Sequence, residues 1–160
     1  MGFSFGTGKG TLYLGSSSAE IDDFLGYAGE PPTTLNLQLR FGWGTGDLLF
    51  GTQMNLTRTW VDVGGVSYGM QFFSFDVVTT WWSQEAGLYT RLGVGPAQFN
   101  TFAGDGTGRT YDGMELMLGG GFTLGGMGVG FDFFRQIYDA NETGFDAVSY
   151  LLATISLDMY

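Results

Sequence analysis

Three features of the sequence predict an all-β fold in which eight antiparallel strands, joined as an up-and-down meander, close into a barrel. The first is period-2 alternation: over Thr34 to Gly44, Leu35, Leu37, Leu39, Phe41 and Trp43 share one face, and Asn36, Gln38, Arg40, Gly42 and Gly44 share the other. The second is composition, 29 Gly with 17% aromatic and 44% hydrophobic residues against 14% charged, a profile neither disordered nor helical. The third is connection length, short at every second turn. A tilted strand of roughly 10 residues crosses bilayer hydrocarbon, and no apolar run approaches the ~20 residues of a helical span. The greasy faces therefore predict a sheet that crosses a membrane with its apolar side outward.

The alternation marks segments of approximately 3–15, 34–44, 48–60, 66–82, 87–98, 113–124, 127–138 and 147–160. In the first, Phe3 and Phe5 are out of phase with Leu12 and Leu14, which predicts a bulge or a strand beginning near residue 7. The third opposes Leu48, Phe50, Thr52, Met54 and Leu56 to Leu49, Gly51, Gln53, Asn55 and Thr57. The fourth opposes Phe73, Phe75, Val77, Thr79 and Trp81 to Ser74, Asp76 and Thr80. The sixth sets Met114, Leu116, Leu118 and Phe122 against Gly113, Glu115, Gly119 and Gly121; the seventh sets Met127, Val129, Phe131 and Phe133 against Gly128, Gly130 and Asp132. Glycines crowd the inner face, where missing side chains let backbones approach and a small sheet close. The eighth carries Leu151, Ala153, Ile155, Leu157 and Met159 on one face and Tyr150, Leu152, Thr154, Ser156 and Asp158 on the other, which leaves the direction of Tyr160 open.

Long connections at 16–33, 61–65, 99–112 and 139–146 alternate with Thr45-Gly46-Asp47, Ser83-Gln84-Glu85-Ala86 and Gly125-Gly126. An even strand count with short periplasmic turns puts both termini on the periplasmic side. Ten of the acidic residues fall in the long connections: Glu20, Asp22, Asp23, Glu30, Asp62, Asp105, Asp112, Asp139, Glu142 and Asp146. Met1 is followed at once by strand-like sequence with no apolar leader, as expected of a mature chain behind an initiator Met. A single barrel domain over 1–160 is expected.

Aromatic residues gather at the strand ends, as in a girdle at head-group level: Trp43, Trp60, Trp81, Phe122, Tyr138 and Tyr160, with Tyr13 and Phe99 beside them. The inner face collects Lys9, Gln38, Arg40, Gln53, Asn55, Asp76, Tyr89, Arg91, Glu115 and Asp132. Eight strands enclose only enough room for side chains, so these groups predict a polar network in which Arg40 and Arg91 meet acids across the interior.

The net charge of −10 argues against nucleic acid as a partner. With no Cys there is no disulfide framework, and neither Glu20-Ile21-Asp22-Asp23 nor Asp105-Gly106-Thr107-Gly108 has calcium-loop spacing, so no metal site or cofactor is expected. Gly6-Thr7-Gly8-Lys9-Gly10-Thr11 lacks the Ser or Thr that follows the lysine of a phosphate loop. Glu115, Asp132 and Asp76 lie in a filled lumen without the open cleft that paired catalytic carboxylates need.

The eight dyad segments, the alternating connections and the run Ala153 to Tyr160, which ends alternating apolar residues on an aromatic, resemble the small eight-stranded outer-membrane barrels of Gram-negative bacteria. That class includes the membrane domain of outer-membrane protein A and its OmpX-like relatives. Leu157 and Met159 are out of phase with Tyr160, unlike the usual terminal signal. The resemblance implies an integral outer-membrane protein. Barrel enzymes of this class that modify lipid A use a His with a Ser, and this chain has no His.

The expected function is non-enzymatic: a membrane anchor or structural and interaction protein that presents its outer loops around a polar, side-chain-filled lumen. Arg58 and Arg135 end the lipid-facing phase of ascending strands and are expected to contact lipopolysaccharide phosphate. Ala19 to Tyr27 predicts a short amphipathic helix, with Phe24, Leu25 and Tyr27 as a surface for a protein partner. Two alternatives remain at this point, a narrow gated channel and a soluble calyx that binds an apolar ligand with its greasy faces inward.

Overall fold

The structure, a computed structural model, describes residues 1–26, 31–83, 85–104 and 108–158, the last by its backbone. Eight staves form the wall: β1 (Gly2–Leu14), β3 (Thr33–Thr45), β4 (Leu48–Val63), β5 (Val66–Ser83), β6 (Leu88–Phe102), β7 (Thr110–Leu124), β8 (Met127–Tyr138) and β9 (Ala147–Asp158). Each pairs antiparallel with the next, and β1 pairs with β9 to close the barrel. A short strand β2 (Ser17–Glu20), a turn of helix α1 (Ile21–Leu25) and α2 (Ala140–Thr143) occupy the long-loop end.

The expected segments coincide with the staves to within a few residues, but two long connections shrink. The β4–β5 hairpin continues to Val63 and Val66, leaving Gly64-Gly65 at positive φ as its whole turn, and β6 and β7 extend to Phe102 and Thr110. Asp62 and Asp112 consequently sit on strands, and Glu20 sits on β2. Two-residue hairpins need positive φ, which Gly supplies without steric cost.

No bulge interrupts β1. Its ladder with β9 runs unbroken from Gly2–Asp158 to Tyr13–Ala147. Phe3 and Phe5 face outward in one continuous phase, and Leu12 departs from the greasy face because it turns inward to an apolar cluster. The same phase turns Lys9 outward, against the expectation that it faces the lumen; it donates to Glu20 at 3.1 Å across the β1–β2 pairing.

Pairing between β1 and β3 covers only Gly2–Arg40 to Gly6–Asn36. Beyond it, β2 takes over the edge of β1, from Thr11–Glu20 to Leu14–Ser17. Helix α1 then drops into the mouth of the barrel. Its Ile21 is fully buried, and a Cβ on Gly10 would lie 2.6 Å from the Ile21 side chain, so that glycine makes the room. The helix is shorter than Ala19 to Tyr27, because β2 claims its first residues. In β9, Tyr150, Leu152, Thr154 and Ser156 face inward and Leu151, Ile155 and Leu157 outward; Tyr160, whose direction the sequence leaves open, lies outside the described residues.

Candidate functional site

The lumen is stacked in three zones, set by which inward residues each stave carries at a given height. At the long-loop end the interior is apolar. Phe72 stacks on Phe99 at 4.9 Å, Tyr138 and Phe145 pack edge-on at 5.7 Å, and Leu12, Ile21 and Val148 complete a buried cluster. Tyr138 and Phe99 therefore leave the aromatic girdle where the sequence placed them. Their strand phase points inward at that height, and packing against each other and Phe145 removes their rings from solvent.

The middle zone holds two hydrogen-bonded polar clusters. Gln38 donates to Asn36 and to Asp132, both at 2.9 Å, and the Arg91 guanidinium donates from Nη2 to the two Asp132 oxygens at 2.9 and 3.1 Å. Arg91 and Asp132 are 3% and 0% exposed, a geometry that compensates much of the desolvation of both charges. Arg40 donates to Ser4 at 2.6 Å and to Gln38 at 3.2 Å.

Across the interior, Asn55 donates to Asp76 at 2.9 Å and to Glu115 at 2.8 Å, and accepts from Gln53 at 2.8 Å. Ser74 Oγ lies 2.9 Å from Asp76 and 2.6 Å from Glu115, so its single proton serves one carboxyl at a time. Gln136 donates to the other Glu115 oxygen and accepts from Tyr138. The structure thus gathers Gln38, Arg40, Arg91 and Asp132 in one cluster and Gln53, Asn55, Asp76 and Glu115 in the other. It adds Ser4, Ser74 and Gln136, of which Gln136 shares the phase of Asp132 and was legible from that alone.

The zone at the short-turn end is not filled. A cavity of about 390 Å³ opens there, below Arg40 and Arg91. Of the inward positions on β3 and β4 at that height, all but Leu49 are glycine: Gly42, Gly44 and Gly51. A Cβ on any of them would lie 2.9, 2.2 or 2.1 Å from a carbonyl oxygen of the neighbouring strand. Close approach of the two backbones demands glycine, and the lost side chains leave the space.

The outer wall is an apolar belt: Leu48, Phe50, Phe75, Val77, Leu92, Leu116, Leu118, Phe131 and Ile155 all face out. Polar or charged residues end the belt toward the long loops, Lys9 on β1, Thr33 on β3, Arg58 on β4, Gln71 on β5, Gln98 on β6, Asp112 on β7 and Arg135 on β8. Arg58 lies 4.1 Å from the Phe102 ring centroid and 5.7 Å from that of Trp60; Arg135 lies 4.6 Å from Tyr13. At the opposite border Trp43, Trp81 and Phe122 stand outward, Trp43 with 75% of its surface exposed. Tyr160 and Tyr27 lie outside the described residues. On α1, Phe24 is exposed, whereas Leu25 packs against the apolar cluster and so leaves the expected partner surface.

This burial pattern excludes the calyx, whose apolar faces would point inward. Among the described residues no helix is long and apolar enough to cross a membrane, and no group of three His, Cys, Asp or Glu side chains is placed to hold a metal ion.

No protein-family model matches the sequence, and no curated protein matches it. Solved structures do match in fold. Neisserial surface protein A superposes with a TM-score of 0.64 at 10% identity, over 99% of this chain and 96% of that one. The outer-membrane enzyme PagL does so with a TM-score of 0.61 at 15% identity, over 99% and 100%. Ail, the attachment invasion locus protein of Yersinia pestis, in complex with the heparin analogue sucrose octasulfate, gives a TM-score of 0.60 at 14% identity, over 98% and 97%. The chain therefore has the closed, eight-stranded, up-and-down fold shared by these small outer-membrane barrels.

Proposed function

We propose that the chain is an integral outer-membrane protein, a single barrel domain over 1–160, that acts without chemistry of its own: an anchor presenting its long-loop end to a partner outside the cell. The carrying observation is the outward apolar belt around a lumen packed with side chains at the loop end and in its middle. On β4 the belt runs from Leu48 to Leu56; about eight rises of ~3.4 Å tilted ~40° stand roughly 21 Å tall, close to the ~25 Å of a barrel's lipid-facing band. Trp43, Trp81 and Phe122 border it on the short-turn side, here assigned to the periplasm.

Arg58 and Arg135, each held against aromatic rings at the other border, stand where lipopolysaccharide phosphates lie and carry the forked donors that bind phosphate. The loop end is acidic, with Asp22, Asp23, Asp139 and Glu142, which favours a protein partner with a basic face over a polyanion such as the one bound to Ail. The lipid A-modifying enzymes among the barrels that this chain resembles pair a His with a Ser, and the chain has no His. A conducting path would have to pass the Phe72–Phe99 cluster, which fills the lumen at the loop end.

The test is refolding from urea. A compact, boiling-sensitive β form that appears only with micelles or vesicles supports the anchor; a monomeric β form without amphiphile sinks it. Planar-bilayer recording of the refolded protein is expected to show no conductance steps. Replacing Arg58 and Arg135 together by Gln is expected to weaken lipopolysaccharide binding, and unchanged binding removes that contact.

A further inference from the structure

Asp76 on β5 and Glu115 on β7 are buried in the middle of the lumen, and the hydrogen bonds that reach them there come from neutral groups, Asn55, Ser74 and Gln136. Asn55 Nδ2 faces three oxygens, Ser74 Oγ at 3.1 Å, Asp76 Oδ2 at 2.9 Å and Glu115 Oε1 at 2.8 Å, which fixes the orientation of its amide. Asn55 Oδ1 is then the acceptor for Gln53 Nε2, at 2.8 Å, and Gln53 Oε1 is left as an acceptor in its turn. That oxygen and Asp76 Oδ1 are both buried without a hydrogen-bond partner among the described residues, and Gln53 stands opposite Asp76 in the β4–β5 ladder. Two buried acceptors on paired inward positions lack one donor.

We propose that the folded barrel binds one proton at this place, carried on Asp76 Oδ1 and donated to Gln53 Oε1. Asp76 is then neutral, and Glu115 keeps the single charge of the pair. Asn55 gives one N–H to each carboxyl, the Ser74 hydroxyl goes to Glu115, the nearer of the two oxygens it faces, and Gln136 serves the other Glu115 oxygen. Two ionised carboxyls on the same two donors would instead repel each other where ions are poorly solvated. Of the charged and titratable groups on the surrounding staves, Tyr138 on β8 reaches Glu115 through Gln136, and Tyr150 on β9 meets Thr59. Arg91 on β6 holds Asp132 on β8, and Arg40 on β3 donates to Ser4 and Gln38. Unfolding releases the proton, because an aspartate in water ionises at about pH 4. The folded form thus holds one proton more than the unfolded one at neutral pH, and stability falls as pH rises.

Infrared spectra of the barrel refolded in non-ionic micelles test this, because the carbonyl stretch of an un-ionised carboxyl is separate from that of a carboxylate. The folded parent is expected to show that stretch at neutral pH, D76N to lose it, and D112N on the outer wall to keep it. Urea titrations of the parent need no variant: the unfolding equilibrium constant is expected to rise about tenfold per pH unit from about pH 5 to 7. D76N places an amide N–H where the proton stood, so it is expected to refold and to lose that pH dependence; boiling-sensitive gel migration reports its fold. A parent without the un-ionised stretch, a stretch that survives in folded D76N, or a parent unfolding constant that ignores pH and follows sodium concentration instead overturns the proposal.

Discussion

Arg91 on β6 and Asp132 on β8 meet across β7 because the residue between them is Gly119. Arg91 stands opposite Gly119 in one ladder and Gly119 opposite Asp132 in the next. A Cβ at this glycine would lie 2.1 Å from Asp132 Oδ1 and 3.4 Å from Arg91 Nε. The missing side chain is thus part of the ion pair's geometry, and three staves are tied together by one contact.

Breaking that contact from one side leaves a buried charge with a weakened partner. D132N is expected to destabilise the refolded barrel by about 3–5 kcal/mol in urea titrations, whereas R91M with D132L together should recover most of the loss. G119A, which keeps both charges but crowds them, is expected to cost about 1–3 kcal/mol. A D132N barrel as stable as the parent would mean that the pair contributes nothing.

The outer wall gives a prediction that separates lipid from water. Leu118 faces outward in mid-belt with 54% of its surface exposed. In a lipid-facing wall, L118R costs roughly 2–4 kcal/mol; on a water-facing surface the same change falls within about 0.5 kcal/mol. Measured stability in vesicles decides which.

At the loop end, Phe72 is 1% exposed and packed between Phe99 and Tyr150. F72A is expected to destabilise by about 3–5 kcal/mol, as other large-to-small changes in filled cores do. A small effect would mean that α1 and the loops sink into the space and reseal the lumen.

The short β1–β3 ladder is the weakest seam of the wall. Hydrogen exchange in micelles is expected to open the amides paired there, from Phe3 to Gly6 with Asn36 to Arg40, before those of the β4–β5 ladder. Uniform protection around the barrel would show that β2 and α1 brace the seam as well as a full ladder does.

The staves were legible because alternation survives in every one of them, most plainly in Leu35 to Trp43, where each greasy residue is followed by a polar or glycine one. What alternation cannot supply is the identity of the inside wherever both faces are apolar. Leu12, Phe99 and Tyr138 were misplaced for that reason: near the loop end the interior itself is apolar, so hydrophobicity no longer marks the outward face. The polar network was legible as an inventory but not as a wiring, since Arg91 meets Asp132 through the absence of a side chain on a third strand. Lys9 follows the same logic: a lipid-facing Leu12 predicts an inward Lys9, and one inverted apolar residue reverses every assignment on its strand.

Closure through Gly2–Asp158 also fixes how the barrel answers to force. The two ends of the described chain lie side by side on adjacent antiparallel staves, at the same end of the same ladder. Tension that draws them apart pulls across the hydrogen bonds and loads them one rung after another, as a zipper is opened, whereas tension along a stave would load the whole ladder at once. A tug at the ends peels β1 from β9 with little resistance, while a tug on the opposite loops is shared by several long hairpins.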